Sequence, residues 1–217
     1  MVLCHVLMRN DISNSSNQKG PETVLILDFG SQYAQLIARR VREAGAFSLL
    51  MAPDTPIKEL AEHNLVGIIL SGGPRSVSDD DAPRCDAKLF DLDVPVLGIC
   101  YGMQLGCQML GGTIEGAEAR EFGRSSLHIS IEHPLLRGIP EDTAVWMSHG
   151  DQVNELSEEF EVLATTSTCP MAAVAHANTK FYGVQFHPEV THTPHGVELL
   201  RNFLYEICGI HGTWKMS

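Results

Sequence analysis

The sequence is poor in several features that would assign it to particular protein classes. Basic residues are scarce, since 15 Lys and Arg stand against 27 Asp and Glu, a formal net charge of −12 for 217 residues. So acidic a chain is repelled by nucleic-acid phosphates and anionic lipid headgroups, so we expect neither as a partner. No apolar run reaches the roughly 18 residues of a membrane-spanning helix. Hydrophobic residues still make up 44% of the chain, which suffices for a buried core and excludes wholesale disorder.

The six cysteines lack the spacing of a disulfide framework or a zinc knuckle. No two of them form a C-x-x-C pair, and they are scattered along a chain long enough to be stable without cross-links. The apolar residues 1–8 have neither a basic leading region nor a clear small-residue cleavage site, so no signal peptide is predicted. We therefore expect reduced thiols and a cytoplasmic protein.

The composition divides the chain into three parts. Residues 1–22 end in the polar stretch RNDISNSSNQKGPE, which predicts a disordered lead-in. Residues 23–208 are expected to form one domain, because a chain of 217 residues suffices for one sizeable α/β domain. Residues 209–217 are predicted to be a tail or a linker.

Apolar runs that alternate with helical patterns predict an α/β fold. Runs typical of strands buried on both faces occur at 24–27, 47–51, 66–70 and 94–99. Strand-like runs with few helices between them, which favour antiparallel pairing, follow at 127–131, 144–147, 160–165, 172–175 and 182–186. A last helix is predicted over 195–208. The sequence thus predicts a single domain with a central, mostly parallel sheet, flanking helices and a smaller antiparallel portion.

An apolar strand, the motif G-x-C-x-G and a helix follow one another within residues 94–104. This order predicts a nucleophile elbow in which Cys100 takes the place of the serine of many hydrolases. Gly98 and Gly102 permit the sharp turn, because a side chain at either position would meet the neighbouring backbone. The free N–H groups and the dipole at the start of the helix favour a thiolate. The alternative is an ordinary buried cysteine in a glycine-rich turn.

The segment FHPE at 186–189 supplies a candidate base and a group to orient it. In extended backbone, residues i and i+2 project to the same side, so Glu189 can reach the ring of His187. Pro188 helps to hold His187 in the extended region. A nucleophilic cysteine needs such a base and such an orienting carboxylate. The alternative is a solvated loop histidine beside a surface glutamate.

The segment SGGP at 71–74 follows another buried strand. Glycine there lets the backbone approach a substrate closely and offer N–H groups to an oxyanion. A simple turn is the alternative interpretation of the same residues.

Together these motifs resemble those of class I, triad-type glutamine amidotransferases. The segments that carry the resemblance are SGGP (71–74), GICYGMQ (98–104) and FHPE (186–189). Further segments are similar to the amidotransferase domain of GMP synthases: ILDFGSQY (26–33), SGGPRSV (71–77), EFGRSSL (121–127), WMSHGDQV (146–153) and YGVQFHPEVTHT (182–193). The resemblance covers about residues 23–208 and implies the fold of that class.

The resemblance implies a role for each matching residue. Cys100, His187 and Glu189 are implied to be a catalytic triad that hydrolyses glutamine to glutamate and ammonia through a thioester. Backbone N–H groups of Gly73 and Tyr101 are implied to form the oxyanion hole. The implied substrate-binding residues are Gln104, Ser148, His149, Gly150 and Asp151. Asp151 is expected to pair with the α-ammonium group, because a buried cation needs a counter-charge.

The same resemblance implies a partner. In GMP synthases the ammonia passes to an ATP pyrophosphatase domain with an S-G-G-x-D-S-S phosphate loop, which uses ATP and Mg to aminate xanthosine monophosphate. No such loop occurs in these 217 residues. We therefore expect the glutaminase half-reaction alone, with no cofactor or metal in this chain. Residues 209–217 are then a tail or linker toward a synthetase domain, and the chain is either a separate subunit or a fragment.

Three other interpretations compete with this one. The chain could be the glutaminase subunit of another amidotransferase, or a non-catalytic regulatory module on the same scaffold, which the intact triad disfavours. The third is a metal-dependent hydrolase, because His187, Glu189, His192 and His195 form the pattern H-x-E-x-x-H-x-x-H. Prolines at 188 and 194 interrupt the single helix that such a ligand set needs.

Overall fold

The computed structural model describes residues 20–215, with residues 117–120 described for the backbone only. Most of the predicted lead-in, residues 1–19, and the last two residues of the predicted tail lie outside this part. The first strand begins at Thr23, where the sequence predicts the start of the domain.

Nine strands form one sheet within residues 20–215. They are β1 (Thr23–Leu27), β2 (Phe47–Met51), β3 (Leu65–Leu70), β4 (Val96–Ile99), β5 (Thr113–Ile129), β6 (Thr143–Glu155), β7 (Phe160–Thr165), β8 (Ala173–His176) and β9 (Phe181–Val184). Their order is β2-β1-β3-β4-β9-β8-β7-β5-β6. The strands from β2 to β9 pair in parallel, and those from β9 to β6 pair antiparallel. Strand β9 therefore joins the two halves.

Helices cover both faces of the parallel half. They are α1 (Ala34–Glu43), α2 (Ile57–Leu60), α3 (Tyr101–Met109) and α4 (Gly196–Asn202), which continues as a π-helical turn over Phe203–Ile207. Side chains alternate along β1, so Val24 and Ile26 pack in one core cluster with α1 and α4. Leu25 and Leu27 pack in the other with α3. Burial on both faces explains the continuous apolar run. No helix in the described residues has the length and apolar character needed to cross a bilayer.

The predicted fold class is confirmed, with an antiparallel half that is more extensive than expected. The sequence predicts strands at 127–131 and 144–147, whereas β5 begins at Thr113 and β6 continues to Glu155. These two strands form a long ribbon at the end of the sheet. Strand β6 is an edge strand, and its residues 148–152 are polar or glycine, so its second half carries no alternating apolar pattern.

Described residues of the predicted tail, 209–217, contact the domain. The Trp214 ring lies 6.0 Å from the Phe47 ring, measured between centroids, and its backbone N–H donates to the Gly45 oxygen at 3.2 Å. The His211 ring and the Glu22 carboxylate are 2.6 Å apart. His211 and Trp214 thus contact residues at or just before the beginning of β1 and β2.

The parallel strands bring the predicted motifs to one edge of the sheet. The carboxyl ends of β1, β3, β4 and β9 lie side by side, because these strands are adjacent and parallel. Ligands bind at this edge in open α/β sheets. The segments that follow these strands begin at Asp28, Ser71, Cys100 and Gln185.

The start of α3 lies so close to β3 that Gly102 has no room for a side chain. A Cβ there would lie 2.3 Å from the backbone oxygen of Leu70. We expect Gly102→Ala to lower the free energy of unfolding by about 1–3 kcal/mol, because the clash is with backbone that cannot rotate away. Gly116→Ala is the matched control, since a Cβ there lies 3.9 Å from Asp151 Oδ1, the nearest atom among the side chains that the structure describes, and we expect a change within about 0.5 kcal/mol. Urea denaturation measures both, and equal stability of the two variants would contradict this packing.

Candidate active site

Cys100 lies at the turn between β4 and α3 in a conformation that non-glycine residues seldom adopt. Its φ is 51° and its ψ is −107°. Its backbone N–H donates to the Val184 oxygen of β9 at 2.8 Å, which anchors the turn to the neighbouring strand. A Cβ at Gly98 would lie 2.6 Å from the carbonyl carbon of Gly102, so the strand end and the helix start are in contact. This geometry is that of the predicted nucleophile elbow.

His187 and Glu189 interact as the sequence predicts. His187 Nδ1 lies 2.8 Å from Glu189 Oε1, and the Glu189 side chain is fully buried. Two hydrogen bonds hold the His187 backbone: its N–H donates to the Trp146 oxygen at 3.0 Å, and its oxygen accepts from Thr193 Oγ1 at 2.7 Å. The carboxylate therefore fixes the ring orientation and leaves Nε2 as the nitrogen available for proton transfer.

The structure brings His187 and Cys100 together beside Gly72. A Cβ built on Gly72 would lie 3.1 Å from His187 Cε1 and 3.9 Å from Cys100 Cβ, so both side chains border the same small space. The Tyr33 ring packs edge-on against the His187 ring, with centroids 5.8 Å apart. The motif that contains Tyr33 thus forms a wall of the site.

Two opposing effects act on the imidazole of His187. Burial lowers its pKa, but the interactions with Cys100 and with the Glu189 carboxylate outweigh burial and raise the pKa to about 10. At neutral pH the folded state therefore favours imidazolium beside the cysteine and the carboxylate. A protonated His187 can deliver its proton to a leaving group.

Two backbone N–H groups beside the cysteine are free to bind an oxyanion. Within residues 20–215, neither Gly73 nor Tyr101 uses its N–H in a hydrogen bond. Tyr101 is the first residue of α3, where helix N–H groups have no partner inside the helix. A Cβ on Gly73 would approach the Phe29 backbone oxygen to 2.9 Å, so a larger residue at this position would displace the loop.

A cavity of about 370 Å³ opens over Cys100. Small-molecule sites measure roughly 300–1,000 Å³, so this cavity can hold an amino acid. It contains all the residues assigned to substrate and oxyanion from the sequence, and its lining comprises Gly73, Pro74, Arg75, Ser76, Cys100, Tyr101, Gln104, Phe122, Ser148, His149, Gly150 and Asp151. Phe122 stands at its rim with 67% of its surface exposed.

The predicted substrate segment 148–151 lies inside β6 and not in a loop. The Ser148 backbone oxygen is 3.7 Å from Cys100 Sγ, close enough to accept a hydrogen bond from the thiol. His149 Nδ1 lies 3.0 Å from the Asp151 oxygen, and its Nε2 lies 3.3 Å from Glu121 Oε2. Burial lowers the pKa of His149 despite the nearby Glu121 carboxylate. His149 thus forms part of the cavity wall, with each ring nitrogen facing an oxygen atom.

Two glutamine side chains connect this wall to the cysteine. Gln104 Nε2 donates to the Asp151 oxygen at 2.8 Å and to Gln185 Oε1 at 3.1 Å. Gln185 Nε2 lies 3.6 Å from Cys100 Sγ. Gln185 was not predicted from the sequence, although it stands two residues before His187 in the motif YGVQFHPEV. Gln104 Nε2 thus donates to the strand that bears Asp151, and Gln104 also lines the cavity, where the sequence places a substrate-binding residue.

The four residues of the alternative metal pattern have different partners. The His192 ring stacks on Trp146, with centroids 4.5 Å apart, and His195 Nδ1 lies 3.1 Å from Glu198. His187 and Glu189 bond to each other. The pattern therefore does not form a common ligand set.

Known proteins resemble the chain over nearly all of the described residues. The family model "Glutamine amidotransferase class-I" matches residues 25–207. The GMP synthase (glutamine-hydrolyzing) of Bacillus pumilus is 52% identical over 196 residues, which are 90% of this chain and 38% of that protein. The corresponding protein of Syntrophomonas wolfei is 47% identical with the same coverage. The chain thus spans less than two-fifths of the length of these curated relatives.

Solved structures with the same fold include proteins of similar length. One is a Thermoplasma acidophilum protein, provisionally named as a subunit of GMP synthase, with a TM-score of 0.76 at 28% identity. The alignment covers 87% of this chain and 94% of that one. A glutamine amidotransferase of Thermotoga maritima aligns with a TM-score of 0.72 at 18% identity, over 88% of this chain and 100% of that one. The second likeness supports the fold alone.

The surroundings of the cysteines predict selective alkylation. Burial raises the pKa of Cys85 and of Cys169 to about 12, and it also raises the pKa of Cys107 and of Cys208. Iodoacetamide reacts with thiolates, so at pH 7.5 we expect Cys100 to be labelled at least about tenfold faster than these four. Peptide mass spectrometry measures the rates, and Cys100→Ser is the control that loses the fast phase. Equally fast labelling of Cys85 or Cys208 would contradict the assignment.

Proposed function

The chain belongs to the class I glutamine amidotransferase family, and we propose that Cys100, His187 and Glu189 hydrolyse glutamine in it. One observation carries this proposal. A cysteine on a nucleophile elbow borders the same space as a histidine whose ring a buried glutamate orients. The same cysteine lines a cavity large enough for an amino acid. These are the parts that acyl transfer to a cysteine requires.

The first half-reaction forms a thioester. The Cys100 sulfur attacks the side-chain carbonyl carbon of glutamine, and a C–S bond forms as the carbonyl oxygen becomes an oxyanion. The N–H groups of Gly73 and Tyr101 stabilise this oxyanion, and such a donor typically contributes about 100-fold or more in rate. The C–N bond then breaks as His187 gives its proton to the departing nitrogen, which leaves as ammonia.

The second half-reaction regenerates the thiolate. His187, now neutral, accepts a proton from a water molecule as the water oxygen attacks the thioester carbon. The C–S bond breaks, and glutamate is released. Glu189 keeps the imidazole in one orientation and stabilises its charged form throughout, as the carboxylate of a triad does.

The other groups of the cavity recognise the ends of the substrate. Asp151 is the anionic side chain that meets the α-ammonium group of glutamine. Ser148, His149 and Gly150 complete the cavity wall that β6 forms. Gln104 holds this wall in place by donating a hydrogen bond to the backbone oxygen of Asp151. A cation at this site is favourable only where such a counter-charge is present.

The high identity to GMP synthases supports a more specific proposal. The ammonia passes to an ATP pyrophosphatase domain or subunit, which uses ATP and Mg to convert XMP into GMP. The matched part of the curated relatives is 38% of their length, which leaves room for such a domain in each of them. The alignment covers 94% of the Thermoplasma protein, whose name describes it as a subunit of GMP synthase. A chain of similar length can therefore be a separate subunit.

Replacing the nucleophile tests the glutaminase directly. We expect Cys100→Ala to reduce glutamine hydrolysis about 10⁴-fold or more, because the thioester cannot form. Ammonia release measures the rate. Cys107→Ala is the control, since Cys107 lies two turns further along α3 and outside the cavity, and it should retain activity within a few-fold. Undiminished hydrolysis by Cys100→Ala would refute the thiolate mechanism.

The partner proposal has a separate test. We expect glutamine hydrolysis by the chain to accelerate several-fold when a GMP synthase pyrophosphatase domain is added with ATP, Mg and XMP, because ammonia formation without an acceptor wastes glutamine. GMP formation from glutamine should then match ammonia production. Equal hydrolysis rates with and without the synthetase would contradict the coupling, and GMP formed with ammonium salts but never with glutamine would contradict the partnership.

A further inference from the structure

Gln185 occupies a position between the nucleophile and the wall of the substrate cavity. It follows the last residue of β9, and its surface is 0% exposed. Its backbone N–H donates to the Ala172 oxygen at 2.9 Å, so the residue is fixed in the sheet. Its side chain lies between Gln104 Nε2, at 3.1 Å, and Cys100 Sγ, at 3.6 Å. We call Gln104 and Gln185 together the amide chain.

The orientation of the amide chain follows from the chemistry of its far end. The Asp151 backbone oxygen can only accept, so the Gln104 group 2.8 Å away from it must be the NH₂ group. The same NH₂ group faces Gln185, which must therefore present its oxygen. Only the NH₂ group of Gln185 is left to face Cys100. The sulfur is thus offered a hydrogen-bond donor that cannot turn into an acceptor without losing a buried bond.

We infer that Gln185 is a positioning residue that donates a hydrogen bond to the Cys100 sulfur, favours its thiolate form and couples it to the substrate wall. The inference rests on the proposed function, because it assigns a role within the same reaction. A hydrogen-bond donor stabilises the thiolate more than the thiol, because hydrogen bonds to charged groups are about twice as strong as those between neutral groups. The Ser148 oxygen, 3.7 Å from the sulfur, favours the thiol instead, so the donor from Gln185 opposes it.

Gln185 differs from the titratable neighbours of Cys100. His187 interacts with the sulfur from the segment after β9, and Cys169 interacts with it from the loop before β8. His149 on β6 stands further out, beside His187. Gln185 has no charge at any pH, so replacing it removes a hydrogen bond without removing a charge.

Alkylation of Cys100 across a pH series tests this role in the full chain. We expect Gln185→Met, which keeps the length but has no donor, to raise the midpoint pH of iodoacetamide labelling by about one unit. Gln185→Glu should raise it further, because its carboxylate accepts from Gln104 but repels a thiolate. The kcat for glutamine should fall at least about tenfold in both variants, with KM changed less than kcat.

Gln108→Glu is the matched control. It makes the same glutamine-to-glutamate change on helix α3, where Gln108 Oε1 accepts a hydrogen bond from Arg84 at the surface. This variant should leave the midpoint pH of labelling and the kcat unchanged. If a Gln185 variant fails to fold, as circular dichroism reports, Gln104→Met replaces it, because it releases the Gln185 amide to rotate and should also raise the midpoint.

An unchanged midpoint in the folded variants would overturn the inference. Labelling requires no glutamine, so the wild-type chain decides the proposed function separately. A raised midpoint in the Gln185 variants, together with a wild-type chain that hydrolyses no glutamine, would support the role of Gln185 and contradict the proposed function. A wild-type chain that hydrolyses glutamine, together with an unchanged midpoint in the variants, would support the proposed function and overturn the inference.

Discussion

The positive φ of Cys100 is the constraint on which the rest of the site depends. A non-glycine residue in a sparsely populated backbone region costs about 1–3 kcal/mol, so its surroundings must impose it. Here the imposing contacts are those of Gly98 with Gly102 and of Gly102 with Leu70, together with the hydrogen bond from Cys100 to Val184. Because of this turn, the Cys100 side chain projects from the edge of the sheet at the start of α3. The backbone N–H groups of the first turn of this helix have no partner within the helix.

The order of the strands brings the other residues of the candidate active site next to Cys100. Strand β9 pairs with β4 in parallel, with Ile99 opposite Val184, so the residues that follow each strand start side by side. Gln185 and His187 thereby approach the sulfur without a long loop. The same strand β9 begins the antiparallel half, whose edge strand β6 returns to cover the cavity with Ser148 and Asp151. The proposed nucleophile and base come from the parallel half, and the proposed substrate wall comes from the antiparallel half.

Sequence reasoning anticipated the parts of the site that short motifs encode. Gly98 and Gly102 indicate the elbow because no other residue satisfies that turn, and the i, i+2 spacing of His187 and Glu189 is a local property of extended backbone. The course of β6 beyond Met147 was not predictable, since edge strands tolerate polar residues and their pairing depends on a distant partner. Gln185 was missed for a related reason. Its role arises from contacts with Gln104 and Cys100, which are 81 and 85 residues away.

The central claim is that the Cys100 sulfur forms a covalent bond with the substrate. Rapid acid quenching of the chain during turnover of glutamine, followed by peptide mass spectrometry, observes this bond most directly. The account predicts a γ-glutamyl adduct on the peptide that contains Cys100, lost on treatment with hydroxylamine. Steady ammonia production with that peptide unmodified at every quench time, and an adduct on another residue instead, would contradict it.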